Sequence, residues 1–164
     1  IERSEVATRE SIRKLKGGTY HGESRFDIPG GAEILLKCAM TIDSEAGSVH
    51  IDFEGSSGAS PHGVNVVLNY THAYSTCALR STLDPDLPNN YGSLKPITIS
   101  APASAIVLTR TNRPTDISIS QPCHSIDTIP GRSPNQIAPA ATMASAAIIV
   151  TVNRIMNGLL RQPC

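Results

Sequence analysis

The chain contains no tryptophan, and aromatic residues make up 4% of it. Charge is scarce too, at 17% of residues. A surface short of charge implies that part of it is covered by another chain. Lysine plus arginine (14) equals aspartate plus glutamate (14). With no basic excess there is no electrostatic case for nucleic acid or an anionic membrane surface. Cys38, Cys77, Cys123 and Cys164 are widely spaced and form no C-x-x-C. That excludes the usual zinc and redox motifs, and the expectation is reduced thiols in the cytoplasm. No secretory signal is expected. The most apolar run, Ala138 to Val152, holds Pro139, Thr142 and Ser145 and is too short to span a bilayer. The chain opens on Ile1 rather than methionine, and its 164 residues are read as one domain or part of a larger one.

Periodicity is clear in places. Ile1 to Lys16 predicts a surface helix with Ile12 and Leu15 inward, stopped by Gly17-Gly18. Thr19 to Asp27 reads as a short strand and Pro29-Gly30-Gly31 as a turn. From Glu33 to Asp43 the pattern alternates, with Ile34, Leu36, Cys38, Met40 and Ile42 on one face. Asp43 to Gly47 is turn-like, and Val49, Ile51 and Phe53 point inward from a second strand, making an antiparallel hairpin. A helix is predicted over Asn65 to Leu83, with Val66, Tyr70, Ala73 and Cys77 as its stripe and Val67, Tyr74 and Ala78 beside it. Asp84-Pro85 ends it, because the residue before proline resists the α region. Asn89 to Ser93 reads as loop and Lys95 to Ser100 as strand. Residues 101–136 form a proline-rich connection to a last apolar helix, about Ala140 to Arg161, with Ile148, Val152, Ile155 and Leu159 along one side. The fold class is α+β: a sheet based on an antiparallel hairpin, with packed helices.

Spacing alone assigns no catalytic machinery. His50, Asp52 and Glu54 lie two apart on a strand and share a face. Such a set suits a divalent metal or acid–base work, but polar residues are also what a solvent-facing sheet carries, and that plainer reading is favoured. Gly55-Ser56-Ser57-Gly58 precedes a helix but matches no phosphate-binding motif and is followed by no lysine. His62 and His72 are too far apart for zinc spacing. Cys123 and His124 are adjacent, so their side chains diverge.

Motif order carries more. Asp52, Phe53, Gly55, Ser56 and Ser57 are followed by Asn65, then by Leu83, Asp84, Pro85, Asp86, Pro88 and Asn89. Gly92, Leu94, Lys95, Pro96 and Ala101-Pro102 complete the series. With the lead-in Gly17 to Asp27, this resembles the hydantoinase B/oxoprolinase family, over about residues 1–113. The resemblance implies a subunit, or an interior or C-terminal portion of one, in an ATP-dependent enzyme that works as a complex. Family members open cyclic amides such as hydantoins and 5-oxoproline, or carboxylate ketones such as acetone and acetophenone. A hydantoinase A-like partner binds ATP and phosphorylates the substrate oxygen, and further B-type chains can join the assembly. Cyclic-amide hydrolysis is the first expectation; ketone carboxylation and a non-catalytic assembly role are the alternatives. The polar motif residues to test are Asp52, Ser56, Asn65, Asp86, Asn89 and Lys95. No cofactor or metal is assigned to this chain; ATP and a divalent metal are expected in the complex.

Overall fold

The computed structural model describes residues 2–28, 33–60, 65–102, 105–106 and 139–161. The predicted turn at Pro29-Gly30-Gly31, His62, the Cys123-His124 pair, Cys164 and most of the 101–136 connection lie outside these residues.

The first helix, α1, spans Glu2–Arg13. Glu2 and Glu5 in its first turn and Arg13 in its last complement the helix dipole. It buries Ser4, Thr8 and Ile12. Thr8 is tolerated inside because its hydroxyl donates to the Ser4 carbonyl at 2.9 Å. Three strands follow: β1 (Gly18–Asp27), β2 (Glu33–Asp43) and β3 (Ser48–Asp52). The alternation read from β2 holds along its whole length, with Ile34, Leu36, Cys38, Met40 and Ile42 all buried. Asp43 shapes the β2–β3 turn by accepting the backbone N–H of Glu45 and Ala46 on Oδ1, at 3.0 and 2.9 Å. Gly47 closes that turn with φ 65°, and a Cβ there would lie 2.8 Å from the Arg9 carbonyl oxygen. Only glycine satisfies both demands.

The second helix, α2, spans Leu68–Leu83, and a four-residue helix, α3, spans Tyr91–Leu94. Strand β4 is Ile97–Ser100, and the last helix, α4, is Pro139–Leu160. The sheet order is β1-β2-β3-β4. The first two pairings are antiparallel, but β4 runs parallel to β3, so the sheet is mixed rather than purely antiparallel. The hairpin pattern could not foretell this. A parallel neighbour requires a crossover, here the segment containing α2 and α3.

Helices α1 and α4 cover one face of the sheet, and α2 packs on α4. The core joins Leu36, Met40, Ile51 and Phe53 of the sheet side to Ile12, Ile148, Val152 and Met156 of the helices. The apolar side read for α4 is the buried side. Its approach to β1 is close: a Cβ at Gly22 would stand 2.9 Å from Cγ1 and Cδ1 of Ile155.

Four expectations are corrected, the first being the start of α2, which begins at Leu68 rather than Asn65. The buried residues of α2 are Thr71, Ser75, Thr76, Ala78 and Leu79, whereas Tyr70 is 60% exposed and Ala73 faces out. Counting hydroxyl residues as polar selected the wrong stripe. Thr76 and Thr82 bond to carbonyls of their own helix and so can sit inward or half-inward. Asn89 to Ser93 is not all loop either. Asn90 caps α3 in a capping box with Ser93, and the strand starts at Ile97 rather than Lys95. Among the described residues Cys38 and Cys77 are free thiols, and no helix is long and apolar enough to cross a membrane.

Candidate functional site

The side of the sheet away from the helices is polar. Its register lines up Thr19, Thr41, His50 and Thr98 in one row across the strands. The next row is His21, Ala39, Asp52 and Ser100, and Glu23 stands opposite Lys37. Because side chains alternate along each strand, these rows follow from the same period that buries the other face.

At the β3–β4 end the side chains form a hydrogen-bonded chain. Thr98 Oγ1 lies 2.8 Å from Nδ1 of His50. Ser100 Oγ lies 3.1 Å from Nε2 of His50 and donates to Oδ1 of Asp52 at 2.7 Å. A serine hydroxyl has one proton. If Asp52 receives it, Nε2 of His50 is the donor to Ser100, and Nδ1 is the nitrogen open to the Thr98 hydroxyl. This arrangement differs from a nucleophile–base pair, in which the imidazole would take the serine proton. It presents an exposed imidazole beside a half-buried carboxylate, suited to holding or relaying a proton to a polar ligand. A shallow depression adjoins it, lined by His21, Glu23, Lys37, Ala39 and Glu54. The short side chain of Ala39 leaves the space. His50 and Asp52 thus share a face as the spacing predicted and are joined through Ser100, while Glu54 sits in the following turn. Among the described residues no three histidine, cysteine, aspartate or glutamate side chains come together as a metal site. Cys38 points to the core, where burial pushes its thiol up to about 12. That removes it as a nucleophile at neutral pH.

The six motif residues occupy different places. Asp52 belongs to the network just described. Ser56 accepts the Lys37 backbone N–H at 3.0 Å and donates to the Lys37 carbonyl at 3.1 Å, so its hydroxyl acts as a substitute strand partner for β2. Ser57 pairs with Leu35 by a different route: its hydroxyl accepts the Leu35 backbone N–H at 2.9 Å, and its own backbone N–H donates to the Leu35 carbonyl at 2.8 Å. The Asn65 side-chain amide pairs with the backbone of Ser60, at 2.8 and 2.7 Å. Lys95 forms an ion pair with Glu5 of α1 at 3.0 Å. Asp86 and Asn89 are exposed. No hydrogen bond or ion pair among the described residues links any two of the six.

What the 83–96 loop does bring together is itself and α1. Ser11 donates to Asp84 at 2.8 Å, Asn90 donates to Ser4 at 2.8 Å, and Lys95 meets Glu5. Glu5 also binds Arg9 at 3.0 Å. Lys95 and Arg9 together hold the Glu5 carboxyl below its ordinary value, and Glu5 in turn raises Lys95. His72, on α2, is lowered by burial and lies outside the network. Sequence reasoning missed Thr98, Ser100, Asn90, Ser93 and Glu5. The alternation Ile97-Thr98-Ile99-Ser100 and the Asn-x-x-Ser spacing of a capping box were the available signals.

Comparison with known proteins adds five findings. A family model described as hydantoinase B/oxoprolinase matches residues 1–160, well past the 113 reached by the motif series. An uncharacterized protein of Methanocaldococcus jannaschii is 34% identical over 73 residues, covering 44% of this chain and 13% of that protein. The 5-oxoprolinase PfmaA of Pestalotiopsis fici is 32% identical over 72 residues, 44% of this chain and 6% of its own length. Among solved structures, the ATP-dependent caprolactamase of Pseudomonas jessenii superposes with a TM-score of 0.72 at 14% identity, over 98% of this chain and 24% of that one. A nucleotide-free acetone carboxylase gives 0.58 at 21% identity, over 64% of this chain and 16% of its own. The matched stretch is thus a small part of each relative.

Proposed function

This chain belongs to the hydantoinase B/oxoprolinase family, and from that premise we propose that it is a subunit, or a portion of one, in an ATP-dependent cyclic-amide hydrolase of the hydantoin or 5-oxoproline type. It acts with a hydantoinase A-like ATP-binding partner in the cytoplasm. The supporting observation is the extent of the caprolactamase likeness: 98% of this chain falls within the fold of an enzyme named for opening a cyclic amide with ATP. The acetone carboxylase likeness covers 64% of the chain, which keeps ketone carboxylation as the second reading.

The chemistry explains the need for ATP. An amide carbon is a poor electrophile, because nitrogen donates its lone pair into the carbonyl. Phosphorylating the oxygen turns it into a leaving group and exposes the carbon to water. ATP and a divalent metal belong to the complex in this reading. The part of this chain is to bind and orient. Asp52, with Ser100 and His50 behind it, offers acceptors and donors to a polar ring or to an adjoining part of the assembly. Ser56 and Asn65 hold the loops around it, Lys95 fixes the 83–96 loop on α1, and Asp86 and Asn89 face outward for contact with a neighbour.

The test is purification with the ATP-binding subunit, followed by ATP hydrolysis measured with hydantoin, with 5-oxoproline, and with acetone plus bicarbonate. Stimulation by either cyclic amide supports the proposal. Stimulation by ketone and bicarbonate alone selects carboxylation. A stable monomer that recruits no ATP-binding subunit overturns both. Ser100→Ala separates a site role from a packing role. The Ser100 hydroxyl donates to the half-buried Asp52 at 2.7 Å, so its loss should cost about 1–2 kcal/mol, a part of a domain's stability, while substrate-stimulated ATP hydrolysis of the folded chain drops. Unchanged turnover removes the Asp52 network from the site.

A further inference from the structure

Lys37 stands where an ion pair is expected and makes none. It lies directly opposite Glu23 in the β1–β2 register, where opposite charges attract across strands. Yet the Glu23 carboxylate meets Arg25, at 3.9 Å, and among the described residues Lys37 forms no ion pair. The lysine side chain leans the other way. A Cβ at Gly55 would stand 3.3 Å from its Cδ and 4.0 Å from its Nζ. Gly55 follows β3, and β3 flanks β2 on the side away from β1. The ammonium is thus drawn off its cross-strand partner and held over a turn that has no side chain of its own.

Two residues further along the same face is Ala39, whose row neighbours are His21 on β1 and Asp52 on β3. Lys37, Glu23 and Glu54 line the depression over Ala39. Glu54, like Lys37, forms no ion pair among the described residues. The depression therefore has an unpaired ammonium and an unpaired carboxylate on one rim, with further carboxylates at Glu23 and Asp52. A lone anion would satisfy Lys37 and be repelled by the carboxylates. A lone cation would do the reverse, and among the described residues no metal-binding group forms. A small molecule carrying both a carboxylate and an ammonium satisfies both sets, because each charge meets its opposite in a charge-assisted hydrogen bond.

We propose that this depression binds an aminocarboxylate, its carboxylate on Lys37 and its ammonium on Glu54. The inference rests on the cyclic-amide reading above and narrows it. When water opens a lactam, its oxygen joins the carbonyl carbon, the C–N bond breaks, and the nitrogen leaves as an amine that takes up a proton. Opening a hydantoin leaves the nitrogen in an uncharged carbamoyl group. The site therefore fits the product of a 5-oxoproline-type ring and not that of a hydantoin. Equilibrium dialysis of the intact chain with glutamate and with N-carbamoylglutamate, which lacks the ammonium, tests this. Glutamate should bind saturably and N-carbamoylglutamate at least about tenfold more weakly, the scale of one hydrogen bond to a charged group. Lys37→Gln should weaken both about tenfold; Glu54→Gln should weaken glutamate alone. Thermal melting of both variants should stay put, since both side chains are exposed. Equal binding of the two compounds, glutamate binding unmoved by either variant, or no saturable binding overturns the site. If glutamate fails to bind while 5-oxoproline stimulates ATP hydrolysis by the complex, the site falls alone. If glutamate binds in the expected pattern while no cyclic amide stimulates hydrolysis, the cyclic-amide reading falls and the aminocarboxylate site stands.

Discussion

Asn89 and Asn90 are neighbours of the same chemistry, and the structure gives them opposite weights. Asn90 Oδ1 accepts the Ser93 backbone N–H at 3.2 Å, and its Nδ2 donates to Ser4 Oγ at 2.8 Å. Ser4 is buried in α1. Asn90→Ala removes the cap, worth about 1 kcal/mol. It also leaves the Ser4 hydroxyl without this partner, for roughly another 1 kcal/mol. The other half of the capping box survives, because it joins Ser93 to the Asn90 backbone. The expected loss is therefore about 2 kcal/mol, or about 4–8 °C in melting temperature for a chain of this size. Asn89→Ala removes an exposed side chain and should cost less than about 0.5 kcal/mol. Urea unfolding followed by circular dichroism reads both. Asn90→Ala should lower the midpoint with its slope unchanged. Equal effects at the two positions, or no effect at Asn90, would refute the assignment of the loop's grip on α1 to that side chain.

Further outcomes follow from other contacts. Gly22→Ala crowds Ile155 and should cost about 1–3 kcal/mol. Combined with Ile155→Ala, the loss should be clearly less than the sum of the two single losses, as a double-mutant cycle in urea will show. Glu5 has a lowered folded value, so its contribution is complete above its unfolded value of 4.5 and disappears as pH falls through the lower folded one. Glu5→Gln should flatten that acid limb of the stability profile; an unchanged limb would remove Glu5 as its source. Cys38, buried and raised to about 12, should resist iodoacetamide in the native protein while half-exposed Cys77 is alkylated first, as peptide mass spectrometry will report.

Legibility of the fold tracked how strongly water sorts the side chains. β2 alternates Ile, Leu, Cys, Met and Ile against a polar face, and its limits were readable to the residue. α4 announced its buried side through Ile148, Val152, Ile155 and Leu159. α2 was misread because its inner face is built from Thr71, Ser75 and Thr76. Thr76 is buried on hydroxyl bonds to its own helix's carbonyls, the Ser75 hydroxyl is buried with no hydrogen-bond partner among the described residues, and α2 packs on a partner helix; a hydropathy pattern registers none of these. The parallel placement of β4 was unreadable for a different reason: strand order across a crossover is a tertiary fact. The site was partly legible. The shared face of His50 and Asp52 follows from their spacing. The link through Ser100 does not, because it needs β4 beside β3 in one particular register.

That crossover bears on how the chain is made. During synthesis β1, β2 and β3 can zip together as soon as Asp52 has emerged, since each pairs with its neighbour in sequence. β4 arrives only after α2 and α3, and α2 finds its support on α4 rather than on the sheet. The crossover helix must therefore wait, nearly uncovered, until the residues from Pro139 onward are translated. Exposed apolar surface at that stage invites aggregation. An inner face rich in threonine and serine, with Thr76 bonded to its own helix's carbonyls, gives α2 little that is sticky to show while it waits.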